Sequence, residues 1–196
     1  MLFRSAYDFA HDHNYTFMTV THLGPGYVTE IYEYDYDKVE GYVGESVELR
    51  FLEKVRFGPG TVMLYRASRD VHIQYAPEEL AITLNLMVSL PEVRIREQYY
   101  FDVTKGVISS YPNELQASGR ASFVRLAGYV GDGDTQQMLG DLAARHPCRR
   151  TRLTAIEALC RLRPDDALSL WEKAATDPAP LVANTARRRI GELNRA

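Results

Sequence analysis

Residues 11–34 read HDHNYTFMTVTHLGPGYVTEIYEY, and this stretch decides how the N-terminal part of the chain is expected to fold. It contains two runs rich in β-branched and aromatic residues, 15–21 and 27–34, which are typical of strands. The turn signal Gly24-Pro25-Gly26 lies between them. The pattern therefore predicts two consecutive β-strands.

A candidate metal site begins at the start of the same stretch. His11 and His13 share one face of an extended chain, because side chains alternate along a strand. His72 follows beyond the turn Gly58-Pro59-Gly60, and the whole chain has only 5 histidines. Three imidazoles around one ion leave coordination positions open, which is the arrangement of catalytic metals. We expect His11, His13 and His72 to be metal ligands.

Further strand patterns surround this stretch. Runs at 46–51, 61–66, 80–89 and 97–103 alternate or are continuously apolar, and turn residues separate them. Several short strands at close spacing favour a sandwich or a small barrel. We therefore expect a β-domain over residues 1–112.

The composition changes past Pro112 to Ala, Leu, Arg, Asp and Glu, and the apolar period becomes helical. Helices are expected near 121–130 and over 149–162. The only tryptophan, Trp171, is predicted to be a packing residue in this region.

The helical region also repeats itself with a shift of 31 residues, which is typical of stacked two-helix units. The matching positions include Asp134 with Asp165, Leu139 with Leu170, Pro147 with Pro178 and Ala155 with Ala186. The stretch 164–193 resembles a HEAT-like repeat. The expected fold class is therefore α+β, with a small β-barrel followed by HEAT-like helical hairpins over residues 113–196.

Composition limits the partners and the compartment. A formal net charge of −3 and a pI near 6.0 give no basic field, so nucleic acid is not an expected partner. No run approaches about 18 consecutive apolar residues, so a membrane span is not expected. Cys148 and Cys160 are the only cysteines, which favours a reducing, cytoplasmic location without disulfides.

The N-terminal motifs resemble the cupin superfamily, specifically its cysteine dioxygenase-like branch with a three-histidine iron site. The resemblance covers about residues 11–90. It rests on the histidine pair and His72, and on the segments Gly26-Tyr-Val-Thr-Glu30, Gly58-Pro-Gly60 and Leu80-Ala-Ile-Thr-Leu-Asn-Leu-Met87. It implies a cupin-like barrel that holds Fe(II) and carries out oxygenase chemistry.

The chain departs from that branch at several positions. Residues 14–18 contain no carboxylate where the general cupin pattern has a fourth ligand, and Met18 and Met87 stand where the branch often has a crosslinked pair. Arg4 is the only arginine upstream of the histidine pair, so cysteine is not favoured as the substrate. We expect a small polar or anionic metabolite instead.

Further residues are candidates for roles at this site. Arg66 and Arg69, close to His72 in sequence, are predicted to bind an anionic substrate group, because guanidinium groups suit carboxylates. Tyr65 is a candidate to manage protons, as are Tyr15 and Tyr75. Glu30 is a candidate second-sphere or alternative fourth ligand.

The expected function is that of an iron-dependent dioxygenase acting on this metabolite with O2. A 2-oxoglutarate oxygenase is less favoured, because His13 stands where its metal triad needs a carboxylate, and Asp12 points to the other strand face. Two alternatives remain open. One is a non-catalytic sensor or scaffold whose helical repeats bind a protein partner. The other is an isomerase, lyase or decarboxylase that uses another divalent metal.

A homodimer is also expected. Only ten residues precede His11, so either the barrel is minimal or a strand comes from elsewhere, such as a partner subunit, and strand exchange of that kind would form a homodimer.

Overall fold

The computed structural model describes residues 7–88, 90–112 and 115–195. The chain divides into two compact units, Met1–Pro112 and Asn113–Ala196. Within the described residues, the first unit contains the β-strands and the second contains the α-helices. The mixed α+β class expected from the sequence is therefore confirmed.

The strands of the first unit are short, in keeping with the frequent turn signals between them. They are β1 (Ala10–Asp12), β2 (Thr16–Leu23), β3 (Tyr27–Glu33), β4 (Arg50–Phe57), β5 (Val62–Tyr65), β6 (Asp70–Tyr75), β7 (Ile82–Val88), β8 (Tyr100–Asp102) and β9 (Val107–Ser110).

These strands form two sheets in which neighbouring strands are antiparallel. The larger sheet has the order β4-β3-β6-β1-β8-β9 and the smaller has the order β5-β2-β7. Because β2 pairs with β5 and β7 and not with the larger sheet, both sheets keep free edges within the described part of the chain. The strands described here thus form two open sheets and not the closed small barrel expected from the sequence.

The central strand β6 is buried on both faces of the larger sheet. Its sequence alternates, so that Val71 and Ile73 lie on one face and His72 lies on the other. The first face belongs to a core that includes Ala10, Tyr34, Val71, Ile73, Tyr99, Phe101 and Ile108. The opposite face carries a second core made by Phe17, Ile31 and Tyr65. The histidines lie on the face of this second core.

The strand predictions differ from the structure most clearly at β4. The sequence predicts a strand at 46–51, whereas β4 spans Arg50–Phe57, and neither β6 nor β9 is predicted as a separate strand. β4 is an edge strand, and half of its residues are charged. Charge protects a sheet edge from pairing with other chains, and it also removes the apolar pattern by which a strand is recognised.

The second unit is helical. Its helices are α1 (Leu115–Val130), α2 (Gly133–Arg145), α3 (Arg149–Leu162), α4 (Ala167–Ala174) and α5 (Pro180–Leu193). The bounds of α3 match the predicted helix, and α1 contains the predicted one. Trp171 is buried in a cluster with Ile156, Val182 and Ala186, which confirms its packing role. None of the described helices has the length and hydropathy that a membrane span needs.

The turns between helices lie where the repeat places them. His146 and Pro147 separate α2 from α3, and Asp177 and Pro178 lie between α4 and α5. Arg152 on α3 bonds both oxygens of Asp177 at 2.8 Å, and both side chains are largely buried. This bidentate ion pair connects α3 to the turn between α4 and α5.

Candidate metal centre

Strand pairing brings the three predicted ligands together. His11 on β1 lies directly opposite His72 on β6, so the two imidazoles occupy the same face of the sheet. His13 follows β1 by one residue and projects to the same side, as its spacing from His11 predicts. His11 and His72 are buried, whereas His13 is half-buried.

The ring nitrogens converge. Nε2 of His72 lies 3.1 Å from Nε2 of His13 and 3.1 Å from Nε2 of His11. Three nitrogens bound to one ion at about 2.0–2.1 Å lie roughly 3 Å apart, so these separations fit a shared metal. Among the described residues, this triad is the one group of three or more His, Cys, Asp or Glu side chains with such geometry.

Burial and neighbouring charge keep two of the three histidines neutral. Burial, reinforced by His11, lowers the pKa of His13 to about 3. Burial together with His11 and His13 lowers the pKa of His72 well below its usual value. Neutral imidazoles offer lone pairs, and neutral imidazole is the form that binds metals.

Hydrogen bonds orient two of the imidazoles. Nδ1 of His11 lies 2.9 Å from the carbonyl oxygen of Phe9, and donating its proton there leaves the Nε2 lone pair directed at the triad. The side-chain nitrogen of Gln98 lies 3.1 Å from Nδ1 of His13. With a metal on Nε2 of His13, Nδ1 carries the proton, and the Gln98 amide has to turn so that its oxygen accepts it.

Nδ1 of His72 differs from the other two. It is buried and has no hydrogen-bond partner within residues 7–88, 90–112 and 115–195. A buried N–H without an acceptor costs free energy, and on its Nδ1 side the His72 ring is held by packing.

An aromatic wall supplies that packing. The Tyr65 ring lies 4.5 Å from the His72 ring, measured between centroids, and it stacks on Phe17 at 4.7 Å. The Phe17 ring meets the His13 ring edge-on at 4.9 Å, and Tyr15 lies at the same distance from His13. Of the three tyrosines considered from the sequence, Tyr65 and Tyr15 thus contact the triad. Tyr75 lies on the other face of the sheet.

Burial raises the pKa of the Tyr65 phenol. The phenol is therefore protonated at neutral pH, and it can donate a hydrogen bond but does not act as a base. Its hydroxyl makes no hydrogen bond of normal geometry within the described residues.

The structure places Glu30 away from the triad. In the pairing of β3 with β6, Ile31 lies opposite His72 and Glu30 lies opposite Ile73, so Glu30 is on the other face of the sheet. There its carboxylate accepts hydrogen bonds from Lys54 and Tyr32, each at 2.9 Å. Lys54 lowers the pKa of Glu30. The geometry does not bring Glu30 within reach of a metal held by the histidines.

Arg66 and Arg69 are engaged with carboxylates of the protein. Arg66 forms ion pairs with Asp70 at 2.5 Å and with Glu33 at 3.1 Å, and Arg69 pairs with Glu33 at 3.4 Å. Arg50 joins the same group through Glu33. Because these guanidinium groups already have anionic partners, the structure does not present them as a free site for a substrate anion.

Two residues near the centre have roles that the sequence did not indicate. Gln98 reaches His13 from 85 residues downstream, and no motif marks it. Asp12 lies between the histidines but on the opposite face, where it accepts hydrogen bonds of 2.6 Å from both the Tyr34 hydroxyl and the Tyr99 amide. Burial raises the pKa of Asp12 to about 7. As its spacing predicts, Asp12 does not face the metal position.

No family model, curated protein or solved structure matches the chain.

Proposed function

We propose that the protein is a metalloprotein whose His11, His13 and His72 hold one divalent metal ion, and that the ion is a catalytic Fe(II). The observation that supports metal binding is that Nε2 of His72 lies 3.1 Å from Nε2 of both His11 and His13. Nitrogen atoms with free lone pairs repel one another at this distance unless a proton or a cation lies between them.

The donor set favours catalysis over a purely structural role. Three imidazoles with no carboxylate leave coordination positions free, whereas structural zinc sites fill four positions with protein ligands. When bound there, Fe(II) supplies coordination of substrate and O2 and the electrons for oxygen reduction. The cupin-like motifs around His11, His13 and His72 favour the same chemistry.

The chain contributes positioning and exclusion of water around the reactants. Phe17 and Tyr65 close the interior side of the centre, while half-buried His13 lies on the more accessible side. Tyr65 carries a proton at its hydroxyl at neutral pH, because burial raises its pKa. We propose a small polar or anionic substrate. An anionic group of this substrate would bind the metal ion directly, because Arg66 and Arg69 are already paired with carboxylates of the protein.

The proposal is tested by loading the protein with Fe(II) under anaerobic conditions and adding nitric oxide as a surrogate for O2. An iron-nitrosyl signal in electron paramagnetic resonance is expected for the wild type and not for His11→Ala or His72→Ala. His22→Ala is the matched control, because His22 is an exposed histidine outside the triad. Oxygen uptake by the loaded wild type, stimulated by a substrate from a panel of small organic acids, then tests for oxygenase activity.

A second candidate function is a non-catalytic metal centre that fixes β1 to β6. The burial of His11 at 6% exposed and His72 at 1% favours it, because a structural ion needs no access for substrate. Iron or zinc that binds stoichiometrically but gives no nitrosyl complex and no oxygen uptake would favour this candidate. Metal-dependent substrate turnover without O2 would instead favour an isomerase or lyase.

A further inference from the structure

The smaller sheet presents an apolar outer face. In its register, Met18 lies directly opposite Leu64 on one side and Leu86 on the other. Val20 is flanked in the same way by Val62 and Leu84. Directly opposite residues share a face, so these six side chains form two complete rows across three strands. We call this set the outer face.

The outer face is exposed. Leu64, Leu86, Val62 and Leu84 are 60%, 64%, 58% and 55% exposed, and Met18 is 41% exposed. On the central strand β2, Phe17 and Thr19, which point to the opposite side, are buried. The outer positions of these strands are thus apolar although they face water, whereas a solvent-facing sheet surface is normally polar.

Charge is absent from this sheet. None of β2, β5 and β7 contains Asp, Glu, Lys or Arg, and the segment 80–90 has no charged residue, Gly or Pro. The edge strand β4 of the larger sheet provides the contrast, because it carries Arg50, Glu53, Lys54 and Arg56. One exposed edge of this unit thus has the charges that keep a strand solvated, and the smaller sheet has none.

The size of the outer face fits an interface. With roughly 100 Å² for each half-exposed large side chain, the six residues and the neighbouring Val88 present on the order of 700 Å², close to the ~800 Å² that each partner buries in a standard interface. Monomeric proteins rarely leave a contiguous apolar patch of this size in water.

We propose that the outer face packs against the same face of a second copy of the chain, related by a two-fold axis. Two apolar faces without charge are self-complementary, and sheets pack face to face about 10 Å apart. A partner of different sequence would be selected by matched charges, and this face offers none. The dimer does not depend on the metal centre, because His11 and His72 belong to the larger sheet.

Sedimentation velocity of the full-length protein at micromolar concentrations tests the proposal. The wild type is expected to sediment as a dimer, and Leu86→Glu and Leu64→Glu as monomers with unchanged far-UV circular dichroism. The two substitutions lie on different strands, so each tests the face if the other prevents folding. Val43→Glu, at a loop residue that is 54% exposed, is the matched control and should remain dimeric.

Two results would overturn the proposal. One is a monomeric wild type over the whole concentration range, which would indicate that another part of the same chain covers the face. The other is a dimer that persists in both folded glutamate variants, since it would then use a different surface.

Discussion

His11 and His72 face each other directly across the antiparallel pair β1 and β6, with their Nε2 atoms 3.1 Å apart. A directly opposite pair in a sheet is held by the backbone ladder, so the two imidazoles are positioned before any ligand arrives. His13, two residues further along the same face, completes the triad. The positions of His11 and His72 thus follow from the sheet register, and His13 lies one residue beyond the end of β1.

The stability of the metal-free protein is expected to fall as the pH drops from about 6.5 towards 3. The pKa of His13 is lowered to about 3 and that of His72 is lowered well below its usual value, so the unfolded chain binds protons that the folded chain does not. Each histidine then reduces the free energy of unfolding by up to about 1.4 kcal/mol per pH unit.

Asp12 opposes this trend. Its pKa is raised to about 7, so the folded state binds its proton more tightly, and its contribution to stability is lost as the pH rises through that value. Because two histidines oppose one aspartate, we expect a net loss of stability on acidification below 6.5. Urea unfolding at a series of pH values measures this. Stability that stays constant or rises as the pH falls from 6.5 to 5 would contradict it.

Replacement of Gln98 is expected to weaken the metal site. In Gln98→Ala the Nδ1 proton of metal-bound His13 loses its acceptor, and metal affinity should fall about 10- to 100-fold, as for other outer-sphere partners. Gln98→Glu should retain or increase the affinity, because a carboxylate is a stronger acceptor. Competition with a chromophoric chelator measures both variants. Equal affinities in wild type and Gln98→Ala would show that Gln98 does not orient His13.

Two substitutions of Tyr65 distinguish a packing role from a chemical role. Tyr65→Phe keeps the ring that contacts His72 and removes a hydroxyl without a hydrogen bond of normal geometry in the described structure, so stability should change by less than about 1 kcal/mol. Tyr65→Ala should cost about 3–5 kcal/mol, because it opens a cavity at a residue that is 2% exposed.

If the hydroxyl of Tyr65 supplies a proton during turnover, oxygen uptake falls in Tyr65→Phe while iron content stays unchanged. Oxygen uptake equal to that of the wild type would remove Tyr65 from the catalytic residues and leave it as a packing residue.

The ion pair between Arg152 and Asp177 is expected to stabilise the helical unit. Both side chains are largely buried, at 12% and 9% exposed. Arg152→Met leaves Asp177 buried without its partner and should cost about 3–5 kcal/mol. Arg163→Met removes an exposed pair with Asp166 and should cost less than about 1 kcal/mol. Thermal unfolding followed at 222 nm compares the two, and equal losses would contradict the expected difference.

Local patterns predicted the mixed fold class, α3 and the histidine face, because each depends only on periodicity. His11 and His13 share a face through strand alternation, whatever their neighbours are. The position of Glu30 was not predictable in this way, because the register of β3 on β6 places Ile31 and not Glu30 opposite His72. A register shift of one residue exchanges the two faces, and a single sequence does not specify the register.

Long-range partners were likewise not predictable from local sequence. Arg66 and Arg69 lie close to His72 in sequence, but Glu33 from β3 meets both of them in the fold. Gln98 contacts His13 because β8 pairs with β1, which places the segment before β8 beside the residues that come after β1. These contacts depend on which strands are neighbours in the sheet.

The central claim, that the three histidines hold one metal ion, is tested most directly by anaerobic titration of chelator-treated protein with Fe(II), and in parallel with Co(II), whose absorption spectrum reports nitrogen ligation. We predict one tightly bound equivalent per chain for the wild type and for His22→Ala, and none for His72→Ala. Wild-type protein that binds no metal, or a His72→Ala variant that binds it as tightly as the wild type, would contradict the account.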